Sequence, residues 1–424
     1  MQISQEGQFK SKIINTDIDL LVILFAFAGP IINVLLFLLH RNSGSGQMAI
    51  AYVVVAVGSV LLFFKYAKRR IPATILTIVA VMILSTASFI ITQFTYGRTN
   101  PLFISEQRAF LGMEGCALLL SLNIVWSRKT EVSNGIIVVF DVVLSIVSFL
   151  ALTRGNSLTT GGLIADTSGF LYQNIAYYSA YCLGLNMYLL AETKGQTKTT
   201  LIKLGYIILS LLQLFTCFMS GGRGGVVLAI GFLVYGVFSV YGRKKAYKII
   251  IPSIVLLLAI IYIFPNLISR IGLDSSGLTR VLSLFSKGAT DNLSDRGRMA
   301  LANKALTAFG ERPILGNGIG SVFYLLGNYS HNMFTDILAE TGIVGLIIVI
   351  ALLGHAVRKA IKLYRVGSLY RFMLILLISG IILNLFSGYI WVNQHIWLPV
   401  IVFLLTPVKD ICEEQERNVG STEK

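Results

Sequence analysis

Apolar residues in this chain fall into long blocks, close to the length a helix needs to cross a bilayer core of about 30 Å, broken mostly by short polar intervals. The blocks lie near residues 19–40, 47–66, 71–93, 104–126, 135–153, 169–191, 201–219, 225–241, 249–268, 337–356, 370–390 and 393–407, and predict twelve transmembrane helices. One polar interval stands apart by its length. The loop 269–336 lies within the stretch from Pro265 to Gly345 and carries Arg270, Arg280, Arg296, Arg298, Arg312 and His331. A polar excursion of that length among such short turns predicts a functional loop rather than a connector.

Inside this loop, the run opening at Asp295-Arg296-Gly297-Arg298-Met299 repeats apolar residues at three- and four-residue steps through Met299, Ala302, Leu306 and Phe309, then meets Gly310 and Pro313. That pattern predicts a short helix with Ser294 or Asp295 as its N-cap. Arg296 and Arg298 would stand in its first turn, where free N–H groups and the helix dipole favour an anion such as phosphate. A solvated or headgroup-facing edge would use the same two arginines. A turn cluster, Gly316-Asn317-Gly318-Ile319-Gly320, follows, then Ser330-His331-Asn332, and the apolar pattern resumes with Asp336 and Glu340 on its first turns.

Composition agrees with the pattern. With 55% hydrophobic residues, 13% charged residues and a mean hydropathy of +0.76, a soluble globular protein is excluded. The fold class expected is an all-α polytopic membrane protein, one integral domain over 1–424 with a polar tail at 408–424. The polar first residues are followed by no small-residue cleavage site, so no removable signal peptide is expected. Counted with the N-terminus inside, 23 of the 35 Lys and Arg fall in segments on the inner side, and seven of the rest sit in the long loop, which is long enough to escape the charge rule. Both termini are therefore expected in the cytoplasm and the loop outside. The net charge of +15 then reads as this inside bias plus attraction to anionic headgroups, and calls for no nucleic acid partner. Cys116, Cys182, Cys217 and Cys412 have neither disulfide-like nor metal-like spacing, and no metal is expected.

A second basic feature is the turn Ser220-Gly221-Gly222-Arg223-Gly224-Gly225 between two apolar blocks. Gly221 and Gly224 leave backbone N–H groups bare beside Arg223, the composition of an anion-binding nest. A tight turn with an arginine reaching headgroup phosphate would look the same.

Three segments in order, SGGRGG, then GRMALANKALTAFGERPILGNGIGSVF, then HNMFTDILAETGIVGL, resemble the Wzy and O-antigen ligase superfamily of bacterial membrane glycosyltransferases. SGFLYQNIAYYSA, with Gln173 and Asn174, resembles the family more loosely, and Gly222 departs from it where many members carry a small hydroxyl residue. The resemblance implies a GT-C-like glycosyltransferase architecture in the bacterial inner membrane. It implies a donor saccharide held through diphosphate on undecaprenyl lipid, an inverting and metal-independent transfer without cofactor, and a chain-length regulator protein as a further partner beside membrane lipid. Carried over to the matching positions, it implies Arg223 and Arg298 on the diphosphate, with Arg280, Arg270 and Arg296 as further substrate contacts beside Asn332, Glu340, Gly221 and Gly224. Arginine suits the task because its planar fork binds phosphate oxygens in pairs and stays charged.

His331 is the family-matching candidate base for the acceptor hydroxyl, neutral at external pH and kept so by nearby arginines; a donor to diphosphate is the competing role, and a structural histidine at a helix entry is the third. Asp336 and Glu340 could act as bases, orient Arg298, or cap a helix. Glu114 and Asp141, inside apolar blocks, are left without a role. Tyr172, Tyr177, Tyr178 and Tyr181 are packing residues or sugar platforms, while Trp126, Trp391 and Trp397 fit an aromatic belt. Three functions follow: a polymerase of lipid-linked repeat units, a ligase of finished polymer onto lipid A core, and a transporter of the lipid-linked saccharide. A transporter should show two related halves, and no such repeat is seen.

Overall fold

The computed structural model describes residues 16–39, 47–66, 74–97, 100–154, 171–193, 200–242, 245–248 and 293–408. Among them regular structure is helical throughout, with no β-strand. We number the helices α1 Thr16–Ala26, α2 Ala28–Leu38, α3 Gln47–Tyr66, α4 Thr74–Tyr96, α5 Pro101–Trp126, α6 Asn134–Arg154, α7 Tyr172–Glu192, α8 Thr200–Met219, α9 Arg223–Tyr241, α10 Leu293–Glu311, α11 Val322–Leu325, α12 Met333–Leu363, α13 Ser368–Phe386 and α14 Gln394–Leu405.

Helices fall at the first eight expected blocks and at the last three; the ninth, 249–268, lies outside the described residues, as do Arg270 and Arg280. Among the described residues seven helices are long and apolar enough to cross a membrane, eight if α1 and α2 make one span bent by 81°, as in an all-α polytopic membrane protein. The twelve blocks are therefore not twelve straight spans. The first is broken between α1 and α2. The block at 169–191 becomes α7, whose Gln, Asn and Tyr residues lower its hydropathy and which is buried over most of its length, among protein rather than lipid. The last is only 12 residues long and contains Pro399.

The chain forms two compact units. In one, spanning 27–48 and 133–292, α7 is the hub, packed by α6, α8 and α9. Glycines set how close α9 comes: a Cβ on Gly222 would stand 2.3 Å from the Ala176 Cβ, one on Gly225 2.6 Å from the Ala176 carbonyl carbon, and one on Gly236 2.5 Å from the Met187 sulfur. Small residues at such contacts let membrane helices approach closely. Polar side chains tie the other two helices in. Gln213 on α8 donates to Asp141 Oδ1 at 3.0 Å and Ser145 Oγ at 2.9 Å on α6, and Asn186 on α7 donates to the Tyr206 carbonyl at 2.7 Å. Asp141 thus acquires a structural part. Tyr177, Tyr178 and Tyr181 are buried here as packing residues, Tyr178 accepting from Asn33 at 2.7 Å.

In the other unit, spanning 1–26, 49–132 and 293–424, α14 packs on α5, α13, α12 and α4, and α10 lies on α12. A buried ion pair, Lys129 to Asp19 at 3.1 Å, fastens α1 to the end of α5. The three described cysteines are free and buried. Glu114 lines an apolar pocket with Ser85, Leu352 and Trp397.

Candidate functional site

The site grows out of a break in α12. Gly342 there adopts φ 62°, so the helical hydrogen-bond ladder stops and restarts, leaving amides and carbonyls without helical partners. The segment 313–318 supplies them. Ile343 and Val344 donate their N–H groups to the Pro313 and Ile314 carbonyls at 2.9 and 3.2 Å, while the Ala339 and Glu340 carbonyls accept from the N–H groups of Asn317 and Gly318 at 3.0 and 2.7 Å. The Asn317 side chain adds bonds to the Ala308 and Ala339 carbonyls at 2.9 and 3.0 Å. A Cβ on Gly342 would meet the Ile314 oxygen at 2.4 Å, and one on Gly316 the Glu340 carbonyl carbon at 2.3 Å, which is why the seam needs glycine on both sides. The turn cluster at 316–320 and the glycine at 342 are thus halves of one joint.

That joint fixes Glu340. Its carboxylate is fully buried and accepts three hydrogen bonds: from Gly320 N–H at 2.8 Å, Tyr389 O–H at 2.7 Å and Trp391 Nε1–H at 2.6 Å. Burial and the Glu340 carboxylate hold the Tyr389 hydroxyl protonated, its pKa well above the usual phenol value. Trp391 is a buried donor to this carboxylate and stacks on Trp397 at 6.2 Å, so it is no member of an exposed belt; Trp126 is likewise buried.

Ahead of α12 the chain makes a pinned loop. Asn332 is the N-cap, its side chain accepting from Phe334 N–H at 3.0 Å. Asp336, fully buried one turn on, accepts the Ser330 N–H at 2.7 Å, and the Ser330 and Thr335 hydroxyls meet at 2.6 Å. Between Ser330 and Asn332 stands His331 at φ 62°, a left-handed conformation that a non-glycine residue holds only when its surroundings enforce it. The ring is half-buried and packs edge-on against Tyr329 at 4.5 Å; Tyr329 in turn donates to the Ser387 carbonyl at 2.9 Å and stacks on Tyr389 at 5.8 Å. The buried Nδ1 of His331 has no hydrogen-bond partner.

Arg298, half-buried in α10, acts on His331 through its charge. Burial, then the Arg298 guanidinium, lower the His331 pKa below its usual 6.5, against a smaller opposing effect of a main-chain hydrogen bond at Ser387. The imidazole is therefore neutral near pH 7, with a buried, unbonded Nδ1 in the field of a fixed positive charge. Among the described residues Arg298 has no ion-pair partner. Arg296 is exposed two residues before it. The helix is described from Leu293 to Glu311, so Ser294 and Asp295 lie within it rather than capping it, and Arg298 stands beyond the first turn expected for it.

Over residues 208–350, which contain α9, the joint, His331 and Glu340, the chain matches a family model described as O-antigen ligase. The match spans 143 of the 424 residues and supports the resemblance to the Wzy and O-antigen ligase superfamily. A search among curated proteins returns no match. Arg298, Arg296, His331, Asn332 and Glu340 fall in one unit, while Arg223, Gly221 and Gly224 head α9 in the other. Of the turn's glycines, Gly221 has φ 78° as a nest requires, whereas Gly222 and Gly225 serve contact with Ala176. Tyr329, Tyr389 and Ser330 were not singled out by sequence reasoning; only nearness to His331 could have flagged the first and third, and Tyr389 lies 58 residues further on.

Proposed function

We propose that the protein is a glycosyltransferase joining polyprenyl-diphosphate-linked oligosaccharide units into O-antigen or capsular polysaccharide at the outer side of the cytoplasmic membrane, with both termini in the cytoplasm. The observation that carries this reading is Arg298 beside a half-buried, neutral His331 with a free Nδ1, on a loop held in a left-handed turn.

In the proposed step an acceptor hydroxyl attacks the anomeric carbon from the face opposite the leaving group. The bond from that carbon to the diphosphate oxygen breaks, its electron pair leaves with the lipid diphosphate, and the hydroxyl proton passes to His331. Negative charge builds on the departing diphosphate, a fixed cation facing it lowers the barrier most, and Arg298 is the group for it. Arg223 offers the same chemistry at the head of α9 and is assigned by its motif. His331 as a hydrogen-bond donor to the diphosphate is the competing assignment. Asp336 and Glu340 are assigned as positioning residues, since each is buried and already bonded within the chain. Arg296 and Asn332 remain candidates for substrate contact.

Transfer of finished polymer to lipid A core would use the same groups, and the description of the matching family favours keeping it as the second reading. The deciding experiment gives the purified protein in lipid discs its lipid-diphosphate repeat unit, without nucleotide or metal. A ladder of lengths supports the polymerase; saccharide appearing only on added lipid A core supports the ligase; neither, with substrate known to be competent, returns the question to a transporter. Arg298→Ala and Arg223→Ala should each abolish product while the protein stays in the membrane, and normal product from both would remove the diphosphate assignment.

A further inference from the structure

Four large apolar side chains stand in the open where the sequence looks most water-soluble. On α10 and the turn after it, Met299 is 57% exposed, Leu306 46%, Ile314 64% and Leu315 72%. Met299 and Leu306 are seven residues apart, so they fall on one line of the helix, beside the face that buries Ala305 and Ala308 and packs on α12. Arg296, Asn303, Lys304, Thr307 and Glu311 occupy the rest of the exposed surface. The helix thus has a face on protein, an apolar flank and a polar, mainly basic back.

What covers the apolar flank follows from the joint. Ile314 is bonded through its carbonyl to Val344, and Pro313 to Ile343, and those two residues begin the exposed stripe Ile343, Val344, Ile347, Ile348 and Ile350 of α12. α12 is long and apolar enough to cross the membrane, so its exposed stripe faces lipid. Ile314 and Leu315 extend that stripe without a gap, and a rigid backbone seam holds them there. We propose that α10 and the turn 312–315 form an interfacial element, with Met299, Leu306, Ile314 and Leu315 in the acyl boundary of the bilayer and Arg296, Lys304 and Arg312 at its anionic headgroups. An amphipathic helix with basic residues on its polar side suits that position. The consequence for the site, resting on the proposed function, is that Arg298 is held at headgroup level, the height of the diphosphate of a lipid-borne substrate.

The test places a nitroxide on cysteines introduced as Leu306→Cys and Leu315→Cys, with Lys304→Cys and Ile347→Cys as polar-face and bilayer references, in lipid discs. The three described native cysteines are buried, and Cys412 is replaced by Ser. Leu306 and Leu315 are expected to collide with oxygen in preference to a water-soluble nickel complex, as Ile347 does; behaviour matching Lys304 overturns the proposal. The unmodified chain provides a second measurement: a lipid bearing an acyl-chain diazirine should label peptides within 299–315, and labelling confined to the membrane spans would overturn it as well. Neither readout needs transfer activity, so an inactive protein with a lipid-facing α10 would count against the proposed function alone.

Discussion

Asp336 Oδ1 accepts the main-chain N–H of Ser330 at 2.7 Å, and this bond closes the turn on which His331 is displayed. Both residues are buried, so nothing from solvent replaces the bond if it is lost. Asp336→Ala is expected to cost about 1–3 kcal/mol in stability, because a buried donor is left unpaired. Asp336→Asn keeps an acceptor for Ser330 and should retain much of the loop geometry. If Asp336 only positions His331, the alanine variant loses rate more than donor affinity, and the asparagine variant recovers both. An asparagine variant as inactive as alanine, yet equally stable, would assign Asp336 to the chemistry instead.

Gly342 and Gly310 offer a contrast in the same segment. A side chain on Gly342 must accept φ 62° and a carbonyl oxygen at 2.4 Å, whereas Gly310 lies within α10 with nothing within 4 Å of its missing Cβ. Gly342→Ala should therefore lower the thermal midpoint, at a cost of at least about 1–3 kcal/mol for the backbone alone, and lower transfer with it by shifting Glu340. Gly310→Ala should leave the midpoint unchanged or raise it, by up to about 1 kcal/mol. Thermal unfolding of the two variants in the same lipid discs checks both signs, and equal effects would mean that the joint is not what makes Gly342 necessary.

The apolar periodicity made the membrane class and most helix positions legible, because burial in lipid demands long uninterrupted blocks. It could not reveal that α7 is a buried hub, since residues such as Asn186, Tyr178 and Tyr188 find their partners on other helices, at Tyr206, Asn33 and Asn134. Nor could it reveal the break in α12, where Gly342 looks like any glycine in a membrane span until Pro313 and Ile314 are seen filling the ladder. Arg298 and His331 were legible as chemistry; their electrostatic coupling was not, because 32 residues, the 313–318 half of the joint among them, lie between them. Glu340 read as a substrate contact through the family resemblance, because its three donors come from residues 20 and about 50 positions away.

Packing of α9 on α7 predicts a rescue. The atom nearest a new Cβ at Gly222 is the Ala176 Cβ, at 2.3 Å, with every other neighbour at 3.4 Å or beyond; at Gly225 the obstacles include the Ala176 backbone, at 2.6 Å for the carbonyl carbon and 2.8 Å for the oxygen. Gly222→Ala should reduce stability and be rescued by Ala176→Gly, while Gly225→Ala should not be rescued. The double-mutant coupling is expected to be on the order of 1 kcal/mol for the first pair and near zero for the second. Rescue of both, or of neither, would refute the contact as described.

The electrostatic pairing of Arg298 with His331 predicts how the site titrates. Burial is the larger cause of the lowered His331 pKa and Arg298 the second, so Arg298→Gln should raise the value while leaving it below 6.5. Nuclear magnetic resonance of ring-labelled histidine, with His331→Asn to identify the signal, reads this without any need for activity. The sign for stability follows from the neutral ring being favoured in the folded state. Between the folded pKa and the usual 6.5, the unfolded chain binds more protons, so this residue's contribution to stability rises with pH through that window and is level above it. The sign for transfer is the same if His331 is the base: product formation rises as pH climbs through the folded pKa, then levels, and residual activity of Arg298→Gln should begin its rise at higher pH than the unaltered enzyme. A rise at lower pH would mean that a protonated His331 is not what limits the reaction, and the diphosphate-donor role would require the opposite limb, with activity lost as the ring gives up its proton.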